Sequence, residues 1–124
     1  MPAQTNIRLP HKEPLIFIGS LEKESASEVS FIAHFPIIPT LAMFCEAAAQ
    51  GSTFFPLSPD CTMGVVTSFR NIKRITEPLQ SESLMTVTVL HTFGNSYLFA
   101  FKAFAPNSQQ LLATGEIAVF YTTV

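Results

Sequence analysis

Between Ser83 and Phe93 the chain alternates in character, with Met85, Val87, Val89, His91 and Phe93 on one side and Leu84, Thr86, Thr88, Leu90 and Thr92 on the other. That period of two is the pattern of a strand with one face buried. Ser96 to Ala105 repeats it, placing Tyr97, Phe99, Phe101 and Ala103 together, and Thr62 to Phe69 and Gln110 to Thr122 also read as strands. Segments rich in Gly, Asn, Ser and Pro separate them, as turns require. Nearer the start, Pro14 to Lys23 opens on a continuous apolar run and predicts a strand. A second strand is predicted over Ser25 to Ala33, with the turn at Glu22 to Ser25.

The segment Ala33 to Pro39, AHFPIIP, breaks the pattern. Its two prolines lack backbone donors and push their predecessors out of helical geometry, which predicts a loop. Thr40 can then cap a helix from Leu41 to about Phe54, built from good helix formers, weakened by Gly51 and stopped by Pro56. Helical spacing groups Leu41, Phe44, Cys45, Ala48 and Ser52 on one face and Met43, Glu46, Gln50 and Thr53 on another. Glu46 is the helix's sole charge, so the helix is expected to be buried with one carboxylate retained. Two strands, one helix and four strands predict an α+β fold with an antiparallel sheet, not alternating βαβ units.

Composition adds an expectation about assembly. The chain has 124 residues, suited to a single domain over 1–124, and only 13% of them are charged, against roughly 25% in ordinary soluble domains. So few charges on a small domain, with its high surface-to-volume ratio, point to an oligomer that buries part of the surface. The net charge of -2 and the absence of a basic block argue against nucleic-acid binding. No apolar run reaches the ~18–20 residues of a membrane span, and no secretory signal pattern precedes Pro14, so a cytoplasmic protein is expected.

Cys45 and Cys61 form no CxxC pair and read as free thiols. His11, His34 and His91 lack metal-ligand spacing, so neither a metal nor another cofactor is expected. His91, on an apolar strand face, reads as a core or interface residue. The twelve phenylalanines fit a core and interface better than the lining of a ligand tunnel. Arg70, Lys73 and Arg74 form the only basic cluster, equally suited to a solvated strand end and to an acidic carrier or phosphate group.

Four pieces in order carry a resemblance to a known family. LPHKEPLIFI at Leu9 to Ile18 resembles the LPH-x-x-P opening of hotdog-fold 3-hydroxyacyl-acyl carrier protein dehydratases, and AHFPIIP resembles their GHFPxxP loop. EAAAQ at Glu46 to Gln50 resembles their E-A-M-A-Q helix, and MGVVTSFRNIKR at Met63 to Arg74 the strand that follows. The resemblance implies a hotdog fold, with the sheet wrapped around one long central helix. It also implies a dimer in which the histidine of one subunit lies near the helix carboxylate of the other. His34 then takes the histidine role, Glu46 the carboxylate role and Gln50 the supporting amide position. The loop departs from the family pattern: it is shorter, Ala33 stands in place of a glycine, and Thr40 stands in place of another at the helix start.

The implied reaction is dehydration of a 3-hydroxyacyl thioester borne by acyl carrier protein or coenzyme A, in fatty-acid or lipid metabolism. A neutral imidazole can take the C2 proton, and a buried carboxyl group that keeps its proton can protonate the departing hydroxyl. Backbone N–H groups at Thr40, Leu41 and Ala42 can stabilise the thioester oxygen. Two other functions fit the same residues. One is a hotdog thioesterase in which Glu46 activates water or attacks the acyl carbon. The other is a non-catalytic acyl or carrier-protein binding module, with His34 satisfying a backbone carbonyl and Glu46 bridging subunits.

Overall fold

The computed structural model describes residues 16–55 and 63–122. The opening LPH-x-x-P segment up to Leu15, which includes His11, lies outside the described residues, as do Pro56 and Cys61. Six strands and one helix follow in the order β1 (Ile18–Glu24), β2 (Glu28–His34), α1 (Leu41–Gly51), β3 (Met63–Arg74), β4 (Glu82–Phe93), β5 (Ser96–Phe104) and β6 (Leu111–Thr122). They form one antiparallel sheet in the order β1-β2-β4-β5-β6-β3, and α1 packs against β1, β2, β3, β4 and β6.

Alternation sorts the side chains as the sequence implies. Val29, Phe31 and Ala33 of β2, Met85 and Val87 of β4, and Phe99, Phe101 and Ala103 of β5 are buried, as is Ile117 of β6. These residues form the inner face, toward α1. Phe17, Phe35 and Phe44 form a chain of ring contacts, with centroids 5.0 and 5.5 Å apart. Phe55, Phe99, Tyr97 and Tyr121 form a second chain. Aromatic rings bury much area each, which makes a Phe-rich core effective in so short a chain. The β4–β5 hairpin turns on Gly94 and Asn95, with Gly94 at φ 59 in the left-handed region that glycine occupies freely.

Several details differ from the sequence reading. β1 runs through Glu24, so the turn falls at Ser25–Ser27 and not at Glu22–Ser25. The regular helix stops at Gly51, and Ser52–Phe54 continue as a 3₁₀ turn. A Cβ on Gly51 would overlap the Phe31 ring, so any other residue there must push the ring or the helix aside. β3 runs five residues past the end at Phe69 that the apolar pattern predicts, to Arg74, the span that the family resemblance implies. Polar Arg70, Asn71, Lys73 and Arg74 hide this extension, and a register shift with Asn71 at φ 54 lets the strand continue past a bulge. His91 is exposed and not a core residue. A shift between Val89 and His91 pairs His91 with outward-facing Leu98, which breaks the alternation and also leaves Phe93 80% exposed.

Candidate active site

Thr40 caps α1 as its sequence suggests. Its hydroxyl accepts from the Met43 N–H at 3.2 Å, and its own N–H donates to the Met43 sulfur at 3.4 Å. The first i→i−4 bond of the helix runs from the Phe44 N–H to the Thr40 carbonyl. Of the three expected oxyanion donors, Thr40 therefore serves as the cap. The N–H groups of Leu41 and Ala42 precede the intrahelical ladder.

One turn farther on, Glu46 is half-buried and Gln50 is only 1% exposed. The Gln50 amide is held at both ends. Its oxygen accepts from the Phe17 N–H at 2.7 Å, and its nitrogen donates to Glu46 Oε2 at 3.2 Å. A backbone N–H can only donate, so the amide oxygen must face Phe17 and the NH₂ must face the carboxylate. The spacing of Glu46 and Gln50 at i and i+4 places both on one helix face, and the backbone just before β1 locks the second in place.

Phe17 also connects this group to His34. The Phe17 carbonyl accepts from the His34 N–H at 2.7 Å, so a single residue bonds to the helix amide on one side and to the end of β2 on the other. The His34 side chain points elsewhere. Along β2 the inner positions are Val29, Phe31 and Ala33, so His34 falls on the outer face, where its Nδ1 lies 2.9 Å from Glu82 Oε2. The structure brings Glu46 and Gln50 together within one helix and joins His34 to them through backbone, with the imidazole on the other face of the sheet.

Two features near His34 escaped the sequence reading. Glu82 is its cross-strand partner in the β2–β4 register, a pairing invisible until the register is known. Gly19 of β1 lies against the ring: a Cβ there would come 2.6 Å from His34 Cδ2 and 2.8 Å from Nε2. The backbone link through Phe17 also has no side-chain signature, so no motif could have exposed it.

The remaining candidates are less concentrated. Arg70 lies 3.6 Å from Glu116 and Arg74 lies 3.1 Å from Glu77, so two of the three basic residues have acidic neighbours. Lys73 has no ion pair among the described residues. Burial pushes the Cys45 thiol up to about 11, with a smaller contribution from the Glu46 charge, which keeps it a neutral packing group at ordinary pH. Among the described residues no three His, Cys, Asp or Glu side chains converge as metal ligands, and no helix is long and apolar enough to cross a membrane.

No protein-family model matches the chain, and no curated protein sequence gives a match. Solved structures are. A chain of the dehydratase heterocomplex ApeI:P from Xenorhabdus doucetiae superposes with a TM-score of 0.71 at 13% identity, over 95% of this chain and 90% of that one. A thioesterase family protein from Silicibacter pomeroyi gives 0.66 at 6% identity, over 100% and 91%. A hypothetical thioesterase from Streptococcus pneumoniae, solved with coenzyme A, gives 0.64 at 12% identity, over 84% and 85%. With six antiparallel strands packed around a single helix, and with these likenesses along nearly its whole length, the chain has the hotdog fold.

Proposed function

We propose that the protein is an acyl-thioester enzyme that eliminates water from a 3-hydroxyacyl thioester, with Glu46 and His34 as its acid–base pair. The observation that carries this reading is the half-buried Glu46 carboxylate, aimed by a fully buried glutamine that is itself anchored to backbone. A carboxyl group held in one orientation beside an apolar wall is suited to proton transfer at a fixed atom. In the reaction His34 removes the C2 proton, the C3–O bond breaks, and Glu46, entering as the carboxylic acid, protonates the departing hydroxide to give an enoyl thioester and water; return of the proton from His34 to Glu46 restores both groups. The Leu41 and Ala42 N–H groups face the negative charge that develops on the thioester oxygen.

Within one chain the His34 imidazole lies on the other face of the sheet from Glu46, so this reading requires the pair to form between subunits. β3 is an edge strand of the described sheet and exposes Val65 at 48% and Phe69 at 49%, beside Phe120 at 42% on β6. An edge with unpaired backbone groups and apolar side chains favours pairing with a second copy. In this reading the His34 of one subunit serves the Glu46 of the other. The substrate is carried by acyl carrier protein or coenzyme A, with Lys73 as the basic residue left to meet an acidic surface or a phosphate, and no metal or organic cofactor takes part.

Thioester hydrolysis is the second reading, favoured by one specific feature: the anchored Glu46 is sufficient by itself to activate water, with His34 only shaping the pocket. The protein is to be incubated with 3-hydroxyacyl and saturated acyl coenzyme A thioesters over a range of chain lengths. Enoyl product from the first supports elimination, whereas free thiol from both supports hydrolysis. Glu46→Gln is expected to lower either turnover by roughly 10²–10⁴-fold. An unchanged rate removes Glu46 from the chemistry, and binding without any turnover by the wild type leaves a non-catalytic acyl-binding module.

A further inference from the structure

We propose that Glu82 is a positioning residue for His34, fixing its tautomer so that Nε2 is the nitrogen presented to substrate. The inference rests on the reading of His34 as the base. A neutral imidazole carries its proton on one nitrogen only, and an ionised carboxylate can only accept. With Nδ1 at 2.9 Å from Glu82 Oε2, a neutral His34 carries its proton on Nδ1 and its lone pair on Nε2.

The strand register builds this arrangement. His34 and Glu82 are direct partners across β2 and β4, flanked by the buried pair Ala33 and Ser83, which holds the two outward side chains level. Cross-strand neighbours on one face have Cβ atoms about 4.5–5.5 Å apart, close enough for an imidazole and a carboxylate to meet without stretching. Gly19 supplies the remaining boundary, because its missing Cβ leaves the space that the Cδ2–Nε2 edge occupies. The backbone position is fixed separately by the bond from the His34 N–H to the Phe17 carbonyl. Among the charged groups of the flanking strands, Glu22 and Lys23 lie farther along β1 toward its turn, and Ser20 hydrogen-bonds to Glu22. Glu82 is the carboxylate at the ring.

A plain surface ion pair would have no effect on the reaction, and this alternative makes the test sharp. The pair is about half exposed on both sides, so its loss has little effect on the fold. The experiment uses the full chain with ¹⁵N-labelled histidine at pH 8, where ordinary imidazoles are neutral, and His34 is assigned by the signal lost in His34→Asn. The wild type is expected to show the Nδ1–H form. Glu82→Ala should shift it toward Nε2–H and lower kcat about tenfold or more, with KM and melting temperature unchanged, and Glu82→Gln, whose amide oxygen still accepts, should recover part of both.

A wild-type His34 already in the Nε2–H form overturns the inference, as does a Glu82→Ala variant with wild-type tautomer and kcat. His34→Asn separates the two levels of the argument. If it abolishes turnover while Glu82→Ala changes nothing, the role of Glu82 alone is refuted. If it leaves turnover intact, His34 is not the base, and the proposal that rests on it falls with that reading.

Discussion

Gln50 cannot be exchanged for an apolar side chain of similar size without leaving a donor stranded. The Phe17 N–H has the Gln50 oxygen as its acceptor inside the core, and a buried donor left unpaired costs about 1–3 kcal/mol. Gln50→Leu should therefore lower stability by about that amount in urea denaturation. It should also lower turnover by up to about a hundredfold, because Glu46 loses the group that aims it. A Leu variant with full stability and full activity would show that Gln50 merely fills space. Much of this residue-level arrangement was legible beforehand: the lone carboxylate on an apolar helix and the amide four positions later are sequence features, and both sit where their spacing implies. The geometry at His34 was not, because its partners Glu82, Gly19 and the Phe17 carbonyl come from segments that only the sheet register brings together.

At the scale of elements, period-two runs revealed β4 and β5, a continuous apolar run revealed β1, and the Thr40 cap located the helix start. The misjudged features of β3 and β4 share one cause. Bulges reset the side-chain phase: at Leu90 the shift turns His91 outward, and at Asn71 it carries β3 beyond the residues that look like its terminus. A bulge has no strong sequence signature when the extra residue is not glycine. The helix end is different, because Gly51 did mark it, although the physical reason lay in another element. The ring of Phe31 occupies the place of a Cβ, so Gly51→Ala must displace either the ring or the helix. We expect a loss of about 1–3 kcal/mol in chemical denaturation. A variant as stable as the wild type would mean that the Phe31 ring can move aside without loss of packing.

For the whole molecule, low charge content led to the expectation of an assembly, and the described sheet has a strand edge suited to one. The strongest test of the shared site is complementation. His34→Asn and Glu46→Gln subunits, each inactive alone, are mixed by co-refolding. If the pair forms between subunits, half of the dimers are mixed and each restores one of its two sites, so about a quarter of wild-type activity should return. No recovery from verified mixed dimers would place the pair within one chain or dissolve it altogether.

The two irregularities of β3 bear on how such a partner is chosen. Between Val66 and Ser68, and again between Arg70 and Lys73, the strand holds one residue more than its neighbour β6. A flat edge accepts any extended peptide, which is how sheets come to aggregate. If β3 pairs with a second copy, an edge kinked twice favours a strand whose own irregularities fall opposite those kinks, and a second copy running antiparallel carries the same two. The bulges that obscured the end of β3 in the sequence thus give its edge a selectivity that a regular strand would lack, like the wards of a lock.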